Sequence, residues 1–175
     1  MQEKILNRQN IYEGRVVTLD LLDVELPDGN VAKREVIRHS GAVAICPIDG
    51  DDVILVRQFR IASELITLEL PAGLLEVGEE PQVAADRELQ EEIGYKARKL
   101  TPIGGFYVAQ GYTSEYIHLF IGEDLIPSQL EGDADEFIEV VRMPLAQALD
   151  AIESGKINDS KTIIGLLRFA RRIGR

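Results

Sequence analysis

The chain has 175 residues, a single cysteine, 45% hydrophobic residues and a formal net charge of −11. The length suits one domain, and the apolar content is enough for a core, which argues against a disordered chain. The acidity argues against duplex DNA or an anionic membrane surface as a partner. A phosphate-bearing small molecule stays open, because a bound cation inverts the local field.

The opening MQEKILNRQN is polar, without the apolar stretch of a signal peptide, and no run approaches the ~20 apolar residues of a membrane span. Residues 14–39 alternate and are rich in β-branched types around PDGN at 27–30. That pattern predicts a hairpin turning near Asp28 and Gly29. Lys33, Arg34 and Arg38 make it the basic part of an acidic protein. They serve either as a solvated strand face or as a place for substrate phosphate or a partner subunit. His39 has no Cys or His at metal spacing and reads as structural.

A soft boundary near Gly41 separates an N-terminal hairpin subdomain, 1–40, from a main domain, 41–175. GAVAICPI (41–48) reads as a buried strand, and Cys46 within it as a buried thiol. One cysteine allows no intrachain disulfide and favours the cytoplasm. After a turn at 49–52, VILVRQFR (53–60) is a strand ending near Arg57, Gln58 and Arg60. The two arginines either bracket a phosphate, whose oxygens match guanidinium forks, or pair with carboxylates. TLELPAG (67–73) is a short strand interrupted by Pro71.

Residues 73–95, GLLEVGEEPQVAADRELQEEIGY, are a loop and then a helix with clear ends. Pro81 suits the first turn and Gly94 the residue just past the last. Ala85, Leu89 and Ile93 recur every four residues as one apolar face. Glu88 and Glu92 stand one turn apart on its shoulder, with Glu91 on the next row. Like charges at that spacing mildly destabilise a helix. They form either a solvated acidic face or, flanking a buried stripe, a cleft for a hard divalent cation with oxygen ligands. Arg87 can pair with Glu79 and hold loop to helix.

Beyond it, 100–111 and 114–125 read as strands, 127–136 as a polar, acidic loop, and 137–143 as a strand. Residues 144–155 and 159–175 read as helices, the second capped by Asp159 or Ser160. Its basic end suits a helix C-terminus. The order of strands, one helix, more strands and two helices describes an α/β (mixed α+β) protein with helices covering a sheet.

The stretch 73–95 resembles the Nudix box, G-x5-E-x7-R-E-U-x-E-E-x-G-U with U a bulky apolar residue. Gly73, Glu79, Arg87, Glu88, Leu89, Glu91, Glu92 and Gly94 fill the pattern without a gap, and Tyr95 departs mildly at the last position. The hairpin, RQFR, ELPAG and the C-terminal helices extend the resemblance to the ADP-ribose pyrophosphatase and nucleoside diphosphate sugar hydrolase branch. The resemblance implies the Nudix fold, a mixed sheet sandwiched between helices, and an N-terminal hairpin that packs across a homodimer. It implies hydrolysis of a nucleoside diphosphate linked to another moiety, with Mg2+, or Mn2+ in its place. By position it makes Glu88, Glu92 and the backbone carbonyl of Ala72 metal ligands, while Glu91 shares a metal or helps to activate water. A base on the late acidic loop points to Glu136, with Asp135 its neighbour. Arg57 and Gln58, with Arg34 of the hairpin, would meet the substrate, and Gly73, Glu79, Arg87 and Gly94 shape the box.

Enzymes of that branch acting on ADP-ribose usually carry a proline about sixteen residues past the box, where this chain has Gln110 in AQGYTSEYIHLF. Gly111, Tyr112, Thr113 and Glu115 of the turn are present. Proline would fix φ, whereas Gln110 adds a donor and an acceptor. A broad nucleoside diphosphate sugar hydrolase is therefore the leading expectation. A dedicated ADP-ribose pyrophosphatase and a regulator that binds a nucleotide sugar without turnover are the alternatives.

Overall fold

The computed structural model describes residues 1–132 and 136–175. The chain divides into two compact units, residues 1–41 with 106–116, and 42–105 with 117–175.

In the first unit, β1 (Lys4–Glu13), β2 (Val17–Glu25) and β3 (Val31–His39) form an antiparallel sheet in the order β1-β2-β3. The expected hairpin is β2–β3, with Val17 opposite His39 and Glu25 opposite Val31. Gly29 at φ 85° supplies its left-handed turn position. Strand β1 is an addition to the sequence reading. Each of its residues is exposed, so it lacks the alternation that marks a half-buried strand. Beneath it, the buried Asp20 of β2 takes Arg38 Nε at 2.7 Å and Arg8 at 3.6 Å. His39 is structural here, its Nδ1 accepting the Gly41 N–H at 3.0 Å.

The second unit holds β4 (Ala42–Asp49), β5 (Asp52–Arg60), β6 (Leu65–Glu69), β7 (Ala72–Leu74), β8 (Tyr95–Tyr107), β9 (Tyr116–Pro127) and β10 (Glu139–Pro144). The two long strands β8 and β9 also reach into the first unit. The strands form a mixed sheet in the order β10-β5-β4-β9-β8, with β6 on β5 and β7 on β4. Strands β4 and β9 run parallel, Ala42 opposite Ile117. Strands β4 and β5 pair only at their turn, Ile48 with Val53 and Asp49 with Asp52. Beyond it they part, and β7 and β6 take up the freed edges. The Pro71 interruption lies between those two strands.

Alternate residues of β4 and β5 face opposite ways, and helices cover both sides. Val43, Ile45, Ile54 and Val56 pack with Ala84, Ala85, Leu89 and Ile93 of α1 (Pro81–Ile93). Cys46, Val53 and Leu55 pack with Leu145 and Ala148 of α2 (Leu145–Glu153) and Leu166 and Phe169 of α3 (Ser160–Arg172). A strand buried on both faces has no polar side, which is why 42–47 is almost unbroken apolar sequence. Burial alone pushes the Cys46 thiol up to about 12. Among the described residues no helix is long and apolar enough to cross a membrane.

Candidate active site

Helix α1 opens at Pro81, whose missing N–H is no loss in a first turn. It closes at Gly94, which at φ 72° donates its N–H to the Leu89 carbonyl. Because Ala85, Leu89 and Ile93 anchor one face to the sheet, Glu88 and Glu92 are carried inward with them. They are 7% and 8% exposed. The strand beneath them is β7, where Ala72 donates its backbone N–H to Glu92 Oε2 at 3.0 Å. At the next residue, a Cβ on Gly73 would overlap the Glu88 carboxylate. Glycine there lets backbone and carboxylate share one small space.

Burial pushes the Glu92 carboxyl up to about 8, with the Glu88 and Glu136 charges adding to it and the Ala72 N–H opposing. Burial likewise pushes Glu88 up to about 7, against the pull of Arg87 and with the repulsion of Glu91 and Glu136. Glu136, exposed on the late loop, is thus near enough to be felt by both buried carboxylates. Asp135, named as its neighbour, lies outside the described residues.

Arg87 is the hub on the outer side. Its Nε and Nη2 hold Glu79 at 3.0 Å each, joining loop to helix as its sequence position suggested. Nη2 also donates to the Leu74 carbonyl, and Nη1 reaches Glu88 Oε1 at 2.6 Å and Glu91 Oε2 at 2.9 Å. Hydrogen bonds to Glu79 raise the pKa of Arg87 further, so it is always a cation.

Among the described residues, no three His, Cys, Asp or Glu side chains converge to hold an ion. Glu88 and Glu91 turn to Arg87, and Glu92 turns to Ala72. The donor set nonetheless fits a hard divalent cation: two desolvated carboxylates one turn apart, a third beside them, and backbone drawn close by Gly73. Only oxygen donors are present, the chemistry that suits Mg2+. Positive charge would offset the desolvation that now favours protonated carboxyls.

The substrate-facing candidates separate. Arg57 of β5 pairs with Glu139 of β10 at 2.8 Å, and both are exposed. Such a pair is worth ~0–1 kcal/mol and yields readily. Gln58, the next residue, is buried. A cavity of about 430 Å3 runs beside them, lined by Arg57, Gln58, Phe59, Ile66, Phe137 and Glu139. Arg60 forks onto Glu69 through Nε at 2.9 Å and Nη2 at 2.7 Å. Arg34 belongs to the first unit, where it forks onto Glu3. In that unit the turn holding Gln110 is closed by Tyr112 and Thr113 N–H groups on the Ala109 carbonyl, and Tyr112 joins β3 at Ile37.

Sequence reasoning passed over three residues. Glu69 is 1% exposed and binds Arg60, Thr67 and Lys161. Its signal is a carboxylate set between leucines in LELPAG. Burial alone would push it up, yet the bonds and charges of Arg60 and Lys161 hold it down to about 2. Gln90 accepts Ser128 Oγ–H at 2.7 Å, and its backbone carbonyl takes Leu130 N–H. Together they fasten the root of the late loop to α1. Thr162, fully buried on α3, receives the Leu70 N–H at 2.8 Å, and nothing local announces it.

The chain is 44% identical over 165 residues to an ADP-ribose pyrophosphatase of Bacillus subtilis (strain 168), covering 93% of this chain and 89% of that one. A methanol dehydrogenase activator of Bacillus methanolicus is 40% identical, at 94% and 91% coverage. A GDP-mannose pyrophosphatase of Cronobacter sakazakii (strain ATCC BAA-894) is 34% identical, at 94% and 90%. A crystal structure of an ADP compounds hydrolase superposes with a TM-score of 0.88 at 31% identity, covering 100% of this chain and 97% of that one. The NUDIX domain model matches residues 37–163, a span that holds the whole of α1 and both strands leading into it. By that match, and by the relatives that share nearly its full length, this chain belongs to the Nudix family.

Proposed function

We propose that this protein hydrolyses the pyrophosphate bond of nucleoside diphosphate sugars, ADP-ribose among them, releasing a nucleoside monophosphate and a sugar phosphate. The observation that carries the reading is the buried pair Glu88 and Glu92 against the backbone of Ala72 and Gly73. These groups would hold Mg2+, or Mn2+ in its place, with Glu91 sharing the ion. Such a cation, once bound, neutralises phosphate charge and activates a water.

The remaining roles fall to the chain. Glu136 accepts the proton of the attacking water as general base. One P–O bond of the anhydride breaks as the water oxygen bonds to phosphorus, and the leaving phosphate departs as the second product. Arg57 and Gln58, at the edge of the cavity, meet the distal phosphate or sugar; Arg57 releases Glu139 to do so. Glu79 and Arg87 keep the loop before α1 on the helix, and Gly94 ends the helix, its carbonyl accepting the Ser128 N–H at the root of the late loop.

The protein is further proposed to act as a cytoplasmic homodimer. The first unit supports the pairing, since Ile5, Leu6, Ile11 and Tyr12 of β1 and Val31 of β3 are exposed apolar groups on one small sheet. A partner would cover them and bring the Arg34 strand of one copy to the site of the other.

The broad substrate range rests on Gln110 and on the different nucleotides in the relatives' names. A dedicated ADP-ribose pyrophosphatase is the second reading, favoured by the relative at 44% identity. A binder without turnover has less support, because binding alone needs no buried carboxylate pair. Chromatography of products from a panel of ADP-, GDP-, UDP- and CDP-sugars with Mg2+ tests the proposal. Monophosphate from several members supports the broad enzyme, from ADP-ribose alone the dedicated one, and from none contradicts both.

A further inference from the structure

Four consecutive residues, Glu69 to Ala72, lead into the carboxylate pair, and each is fixed from outside its own strand. Ala72 lies opposite Ala44 in β4 and donates to Glu92. The Pro71 carbonyl accepts the Ile45 N–H at 2.9 Å. Leu70 and Glu69 are held instead by consecutive residues of α3, more than ninety positions away in sequence. Leu70 N–H donates to Thr162 Oγ1 at 2.8 Å, and Lys161 Nζ donates to Glu69.

The helix end is built for this grip. The Thr162 hydroxyl in turn donates to Asp159 Oδ2 at 2.6 Å, and that oxygen also caps the helix by accepting the Thr162 N–H at 2.9 Å. Asp159 Oδ1 steadies Lys161 Nζ at 3.1 Å. One turn on, Gly165 leaves room for the Leu70 side chain; a Cβ there would stand 2.5 Å from Leu70 Cδ1. Backbone, side chain and neighbouring carboxylate of one short segment are therefore all registered on α3. A helix that only covered the sheet would need apolar contact alone.

We propose that Thr162 and Lys161 are positioning residues that hold Leu70 and Glu69 so that Ala72 presents its backbone to the metal beside Glu92. The inference rests on the metal-site reading above. Pro71 stiffens the path between Leu70 and Ala72 by fixing φ, so a shift at Leu70 is passed on. Thr162→Val keeps shape but removes the acceptor, leaving a buried N–H unpaired.

The test is Mn2+ affinity by electron paramagnetic resonance of the free ion, run beside thermal melts. Partners bonded directly to metal ligands typically contribute about 10–100-fold to affinity; acting two residues from Ala72, Thr162→Val should weaken Mn2+ by about tenfold, the low end of that range, while Thr162→Ser stays near wild type. If Thr162→Val does not fold, Lys161→Met carries the same expectation. Glu92→Gln separates the two ideas. If it loses Mn2+ while folded Thr162→Val binds as the wild type, the positioning role is overturned and the metal site stands. If the wild type and Glu92→Gln bind Mn2+ alike, the metal-site reading itself fails.

Discussion

Glu92 accepts the backbone N–H of Ala72 at 3.0 Å from a position only 8% exposed. One neutral donor does not offset the burial of a carboxylate with Glu88 beside it. Both carboxyls are therefore held above the free-glutamate range, Glu88 at about 7 and Glu92 at about 8. Between the unfolded value and these, the folded chain binds more protons than the unfolded one, so stability falls as pH rises. Their contribution is fully present below about pH 4.5 and lost as pH passes through 7 and 8. Melting of the protein in chelator should therefore lose temperature between pH 5.5 and 8.5, and Mg2+ should restore more at pH 8.5 than at 5.5. Glu92→Gln should flatten the slope; an unchanged slope would remove Glu92 as its source.

The loop base is open to a separate check. General-base groups contribute ~10²–10⁴-fold to rate, so Glu136→Gln should lower kcat within that range and leave Mn2+ affinity near wild type. Removing its charge should also bring down the pKa values of Glu88 and Glu92, which it now raises. In chelator, the fall in melting temperature with rising pH should shrink accordingly. A kcat loss below about tenfold would be too small for a general base and would move the role to Glu91 or to metal-bound water alone.

Much of this site is written locally. Pro81, Gly94 and the Ala85–Leu89–Ile93 stripe specify α1 from neighbours alone, and the stripe determines which glutamates turn inward. The apolar run 42–47 announces a strand buried on both faces. Strand β1 is not legible, because KILNRQNIYE is exposed throughout and its partner β2 supplies the order. Contacts between distant residues escape for the same reason. Arg57 finds Glu139 at a separation of 82, and Leu70 finds Thr162 at 92, through strand and helix placement that no local window contains.

The first unit carries its own prediction. A three-stranded sheet that leaves Ile5, Leu6, Ile11 and Tyr12 exposed gains by pairing with a second apolar surface. Light scattering of the intact protein should give a dimer, and deletion of residues 1–38 a monomer with weaker substrate binding. An intact protein that is monomeric at micromolar concentration would overturn the assembly whatever the truncation does.

The most direct measurement is turnover by Glu92→Gln in Mg2+, on the best substrate of the panel and beside the wild type with chelator. The substitution keeps size and helix propensity and removes one charge from a group proposed to serve the cation rather than the core. The expected result is a folded variant, with a melting temperature at or above that of the wild type in chelator, and turnover lost in both samples. Hydrolysis by Glu92→Gln at near the wild-type rate, or wild-type hydrolysis undiminished by chelator, would contradict the account.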